Sequence, residues 1–190
     1  MNGILDATIS TSGLLLASIA LLNFAIGFYV YCRNRTAPLN RAFACTAFAV
    51  GLWTAALSWG RFQPSAFQIA IRAAFSAGSL VPLGVLYFAE HFGVSKIASR
   101  WRLRTITVVA TAFSVLSLSP WMVSDVTRQA YGMRPIYGPL HPFFAAYMLL
   151  SFGLAATTLI RKYHTCTGLQ KTQGGHLFLA FIIPGLLATT

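Results

Sequence analysis

From residue 13 to residue 32 the chain runs for twenty residues without a charged side chain. Five further apolar runs follow, at 42–59, 68–88, 105–123, 142–160 and 176–190. In helical form, about 20 apolar residues cross the hydrocarbon core of a bilayer. Among the first five runs the only Lys, Arg, Asp or Glu is Arg72, near the start of the third. No polar stripe recurs every three to four residues, as it would on a helix packed into a soluble protein. The ten-residue alternation of a membrane β-barrel is missing as well. Backbone polar groups cannot stay unpaired in lipid, so the runs are expected to be helices. The expected fold is all-α: one domain over 1–190, a polytopic transmembrane helix bundle with six spans in view.

Only 9% of the residues are charged, yet fourteen bases stand against three acids, for a net charge of +11. Such an excess can mark a nucleic-acid partner or a membrane surface. The distribution decides between them. Arg33, Arg35, Arg41, Lys96, Arg100, Arg102, Arg104, Arg161, Lys162 and Lys171 fall in connections on one side of the runs. Arg61, Arg72, Arg128 and Arg134 fall on the other. Ten bases against four mark the first side as cytoplasmic. The N-terminus is then outside with Asp6 and Asp125, and Glu90 lies at the inner edge of the third run. The stretch SRWRLR, with Trp101 at the interface, reads as a topology signal and a contact for anionic lipids, not as a nucleic-acid reader. Trp59, Trp121, Tyr131 and Tyr137 suit an outer aromatic belt. Tyr29, Tyr31, Tyr87, Trp101 and Tyr163 suit an inner one. No base precedes Arg33, so the first run lacks the charged start of a cleaved signal peptide and is expected to stay as an anchor.

Catalysis within a membrane needs ionisable groups turned to the protein interior. The runs offer no zinc motif, no paired aspartate, no nucleophile elbow and no lysine for a Schiff base. Cys32, Cys45 and Cys166 are too few for a disulfide framework, and no Cys/His pair has ligand spacing. Neither a metal nor a cofactor is expected. Glu90 and His91 are adjacent and do not face each other on a helix. The polar residues that remain suit packing or recognition. Asn23, in the middle of the first run, suits an interhelical hydrogen bond. Gly78, Ser79 and Pro82 suit either close packing or a hinge, since proline removes a backbone donor. Two readings stand for Arg72: it snorkels to the interface, or it lines an outward pocket with Trp121, Tyr137 and His141.

The segment APLNRAFACTAFAVGLW resembles the N-terminal seven-transmembrane region of bacterial sensor histidine kinases. A short basic loop leads to Asn40 and Phe43, with Trp53 ten residues on. The third run is similar to the same family in Arg72, its small residues, Pro82 and Phe88. YGPLHPFFAAYMLL and LIRKYHTCTGLQKTQ resemble the family's fifth span and the basic turn after it. The resemblance implies a sensory input module in the bacterial inner membrane that passes an envelope or membrane signal to a cytoplasmic output domain, itself outside this segment. The segment is then not an enzyme, although the whole protein would be a kinase. Expected partners are the bilayer, anionic lipids at the cytoplasmic face, a second copy of the chain and a small signal. The competing class is a small-solute transporter or channel subunit, which needs substrate-coordinating groups at the midplane. The last run, HLFLAFIIPGLLATT, stops without an interfacial charge, and the chain is expected to continue into a seventh span.

Overall fold

The computed structural model describes residues 2–92, 100–129 and 132–165. The run at 176–190, Lys96, Lys171, Tyr131 and Cys166 lie outside the described residues. The elements in order are α1 (Asn2–Arg33), α2 (Pro38–Phe62), a short 3-10 turn (Pro64–Ala66), α3 (Phe67–Gly78), α4 (Val81–His91), α5 (Arg100–Leu116), β1 (Val123–Gln129), β2 (Gly132–Tyr137) and α6 (His141–Thr165). Four stretches are long and apolar enough to cross a membrane: Thr11–Arg33, Pro38–Phe62, Pro64–His91 and His141–His164. They form the polytopic helix bundle.

The α1–α2 turn follows from its residues. The Asn34 carboxamide oxygen accepts from the backbone N–H of Thr36 and of Ala37, each at 3.1 Å. This local bond replaces the helical ladder and turns the chain. Pro38 then opens α2, where its missing N–H costs nothing. From the first turn of α2, Asn40 donates to the Val30 carbonyl at 3.1 Å, one of the carbonyls that α1 leaves without a helical partner. Near the other end of the two helices, Ser58 donates to the Gly13 carbonyl at 2.8 Å.

Helix α2 is the hub. Its buried positions include Ala42, Ala44, Thr46, Ala47, Ala49, Gly51, Thr54, Ser58 and Gly60. Lipid tails are as apolar as leucine, so helices in a bilayer associate through close backbone approach and not through burial of large side chains. The tightest approach is to α4. A Cβ placed on Gly84 would lie 3.0 Å from the Cα of Thr46 and closer still to its hydroxyl. Around this crossing Val85, Leu86, Phe88 and Ala89 of α4 pack with Ala42 and Ala49 of α2 and with Ala155 and Leu159 of α6. Many of the other large apolar residues face outward. On α1, Leu15, Leu21 and Phe28 are each more than 60% exposed, the disposition expected of a lipid-facing helix.

Several boundaries depart from the expected runs, each for a local reason. The third run is helical as two pieces. The chain turns at Ser79 and Leu80, and Pro82 sits in the first turn of α4, where it cannot donate back to the preceding turn. The run 105–123 is helical only to Leu116. Pro120 disfavours helical backbone at Ser119, and the Ser119 hydroxyl takes the Leu116 carbonyl at 2.6 Å. Helix α6, on the fifth run, outruns its expected end at 160 and carries Arg161 and Lys162 within it. Lys162 is fully buried, and its ammonium donates to the Glu90 carbonyl in the last turn of α4. A cation there also complements the negative end of the α4 dipole. The connection 124–141 forms an antiparallel hairpin of β1 and β2. The bundle itself is helical, as expected, and the hairpin is added to one end of it.

The bases divide between the two ends of the bundle. Arg33, Arg35, Arg41, Arg100, Arg102, Arg104, Arg161 and Lys162 lie at the end away from the hairpin. The crossing of α2 and α4 yields a direct test. Gly84→Val places two methyl groups against Thr46 and is expected to cost about 1–3 kcal/mol, read as a lowered thermal midpoint in nanodiscs. Gly78→Ala is the control. Its Cβ would meet only Trp53, at 3.9 Å, and the midpoint is expected to hold.

Candidate functional site

At the hairpin end, α3 holds the root of the hairpin by two side chains one turn apart. The Arg72 guanidinium donates twice to the Val123 carbonyl, from Nε at 3.1 Å and from Nη2 at 2.7 Å. Gln68 donates to the Ser124 carbonyl at 3.2 Å. These acceptors are free because the ladder slips here. Val123 pairs with Tyr137 and Asp125 with Ile136, which leaves Ser124 as a bulged residue. Met122 and Val123 are fully buried beneath the clamp. The far strand is seated by Gly138, whose N–H donates to the Met122 carbonyl at 2.9 Å. A Cβ on Gly138 would lie 2.6 Å from the Trp121 carbonyl carbon, so no larger residue lets the chain cross there.

From this root a chain of rings runs into the bundle. Tyr137, the last residue of β2, stacks on His141, the first of α6, with ring centroids 3.9 Å apart. Phe75 of α3 meets His141 edge-on at 5.8 Å and Phe144 at 5.2 Å. Phe113 of α5 takes Phe144 at 5.9 Å and stacks on Tyr147 at 4.9 Å. The Tyr147 hydroxyl donates to the Ser79 carbonyl at 2.7 Å. Ser79 is the residue at which the third span breaks, and its own hydroxyl donates to the Ser76 carbonyl at 2.7 Å. Offset and edge-to-face ring pairs are worth about 0.5–1.5 kcal/mol beyond their buried area. The chain therefore joins the hairpin to the α3–α4 break through preferred contacts.

Of the four residues expected to share an outward pocket, three meet here in different roles. Tyr137 and His141 are in contact. Arg72 touches the hairpin backbone, one turn from Phe75. Trp121 is 65% exposed and takes part through its carbonyl, which accepts from the Leu140 N–H at 3.0 Å. Asn23 donates to the Ile19 carbonyl of its own helix at 2.9 Å, not across to a neighbour. Gly78 has room for a methyl group, and Pro82 marks the break. Sequence reasoning passed over Gln68, Phe75, Phe113, Phe144 and Tyr147. A signal was present: 141, 144 and 147 repeat at three residues and so share a helix face.

The family model for the N-terminal 7TM region of histidine kinase matches residues 15–189. The chain belongs to this family. Neither a curated protein nor a solved structure matches it. It is a multi-pass membrane sensory domain of histidine kinases, with its apolar helices against the bilayer. Within this 7TM region the residues that carried the resemblance are packing residues. Asn40 holds the end of α1, Phe43 meets Phe88 edge-on at 6.3 Å, and Trp53 stands beside the break at Gly78.

The clamp is open to a direct test. Arg72→Lys keeps the charge but loses the planar fork. Hydrogen bonds from a charged donor contribute about 1.5–3 kcal/mol, so amide exchange across Val123–Thr127 is expected to speed by about tenfold or more. Exchange that matches the unsubstituted protein would show that the fork does not hold the hairpin.

Proposed function

We propose that this chain is the sensory input region of a two-component histidine kinase of the bacterial inner membrane, with the hairpin end outside and the basic end in the cytoplasm. In this reading α1, α2, the broken α3–α4 helix, α5 and α6 make five crossings. A signal acts where the hairpin meets the bundle, around Arg72, Trp121, Tyr137 and His141. It reaches the α3–α4 break, and the helices beyond the break carry it to an output domain in the cytoplasm. The observation that carries the proposal is the unbroken contact path from Tyr137 to the Ser79 carbonyl. A signal must favour one of two arrangements of the bundle, and a helix interrupted by a proline is an element that can adopt two. The orientation draws its support from the bases gathered at the end away from the hairpin. The same bases would attract anionic headgroups there.

Two experiments test the reading. With Cys32, Cys45 and Cys166 replaced by Ser, an impermeant thiol reagent applied to cells is expected to label Thr127→Cys and to spare Thr36→Cys. The reverse pattern inverts the orientation. In the full-length protein, Tyr147→Phe keeps the ring and removes the donor to Ser79. A neutral hydrogen bond contributes about 0.5–1.5 kcal/mol, so the output in the resting or stimulated state is expected to shift by about two- to tenfold. Normal insertion with an unchanged output would refute the path.

A further inference from the structure

The junction contains one group that changes charge near neutral pH. Among the described residues the histidines are His91, His141 and His164. His91 and His164 lie at the basic end, and His141 alone lies at the hairpin end. Its ring is held between the Tyr137 face and the Phe75 edge. Tyr137 is 51% exposed, so water reaches the pair.

The groups around this ring set how it responds to a proton. From β2 it faces the Tyr137 phenol, and Arg134 stands exposed on the same strand. From α3 it faces Phe75, with Arg72 one turn away and its guanidinium engaged by the Val123 carbonyl. On β1, Asp125 turns its carboxylate to the neighbouring Val126 N–H at 2.8 Å. The first turn of α6 carries no acid. A charge on His141 would therefore meet the positive end of the α6 dipole, which acts within the first turn, at an end that also carries Arg72 and Arg134. The opposing effect is the attraction of a cation for the Tyr137 ring, and that attraction is weakest at exposed sites such as this one. The neutral ring suits the stack, and the charged ring is better accommodated out in water.

We propose that this region senses protons, with His141 as the titrating group and its stack on Tyr137 as the link that protonation loosens. The proton is then the signal at the receiving site proposed above, and the inference rests on that reading. Loosening the stack frees the end of β2 from α6, at the head of the ring path to Ser79. The direction is set by the same contacts. The stacked arrangement is favoured at high pH and the released one at low pH, across the range of about pH 5–8 in which histidine changes charge.

The test uses the full-length kinase in proteoliposomes, with the pH varied on the hairpin side and held constant on the other. Autophosphorylation is expected to change several-fold between about pH 5 and 8. His141→Phe keeps a stacking ring that cannot be charged, and is expected to give a flat profile at the high-pH level. A histidine-selective NMR titration of the unsubstituted protein supplies a readout that does not depend on the kinase. The His141 ring signals should titrate within the same range, and the Tyr137 ring signals should move with them. A flat native profile, a His141→Phe profile that keeps its pH response, or a Tyr137 signal that ignores the His141 titration each overturns the inference. If the native profile is flat while Tyr147→Phe still shifts the output, the ring path stands and only the proton is wrong.

Discussion

Everything in this bundle depends on the close approach of α2 to its neighbours. In water a helix is driven to its neighbours by burial of large apolar side chains. In a bilayer those side chains are already solvated by lipid, and what distinguishes a helix–helix contact is the number of atoms brought to van der Waals distance. Helix α2 meets α1, α3 and α4 with alanine, glycine, serine and threonine. Thr46 against Gly84 is the tightest of these crossings. It places α4 beside α6 and fixes where the lower half of the third span stands. Many of the leucines, such as Leu15, Leu21 and Leu150, are left to the outside, where lipid accepts them.

Once α4 is held, the upper half of the same span has freedom that the lower half lacks. The two halves are separate helices joined at Ser79 and Leu80. Helix α3 is tied at its far end to the hairpin through Arg72 and Gln68. The third span is thus fastened at both ends and interrupted between them. At the basic end the buried Lys162 binds α6 to the last turn of α4. At the hairpin end the binding of α6 to α3 is made of aromatic rings, which have preferred but not unique geometries. The two attachments of α6 are thus different in kind, a buried charged donor at one end and ring contacts at the other.

Proline and glycine do separate jobs along this path. Pro82 withholds a donor and breaks a helix that its apolar run would otherwise continue. Gly138 lets the second strand cross the backbone at Trp121, and so brings Tyr137 to the head of α6. Both decide where the residues of the ring path are placed.

The membrane character, the helical form and the division of bases between two ends were all legible in the sequence, because each depends on composition and order along the chain. The resemblance carried by Asn40, Phe43, Trp53, Arg72 and Pro82 pointed to the family that the match over 15–189 bears out. The hairpin was not legible. Its strands lack apolar alternation, and the root of β1 is held by Arg72 and Gln68 from a helix some fifty residues away. The same holds for the ring path. Phe75, Phe113 and Phe144 belong to three separate helices, and only packing shows that they touch. A long apolar run declares itself residue by residue, because the bilayer acts on each residue alone. A contact between distant side chains is decided by where two backbones come to rest, and in lipid that depends on which small residues let them approach.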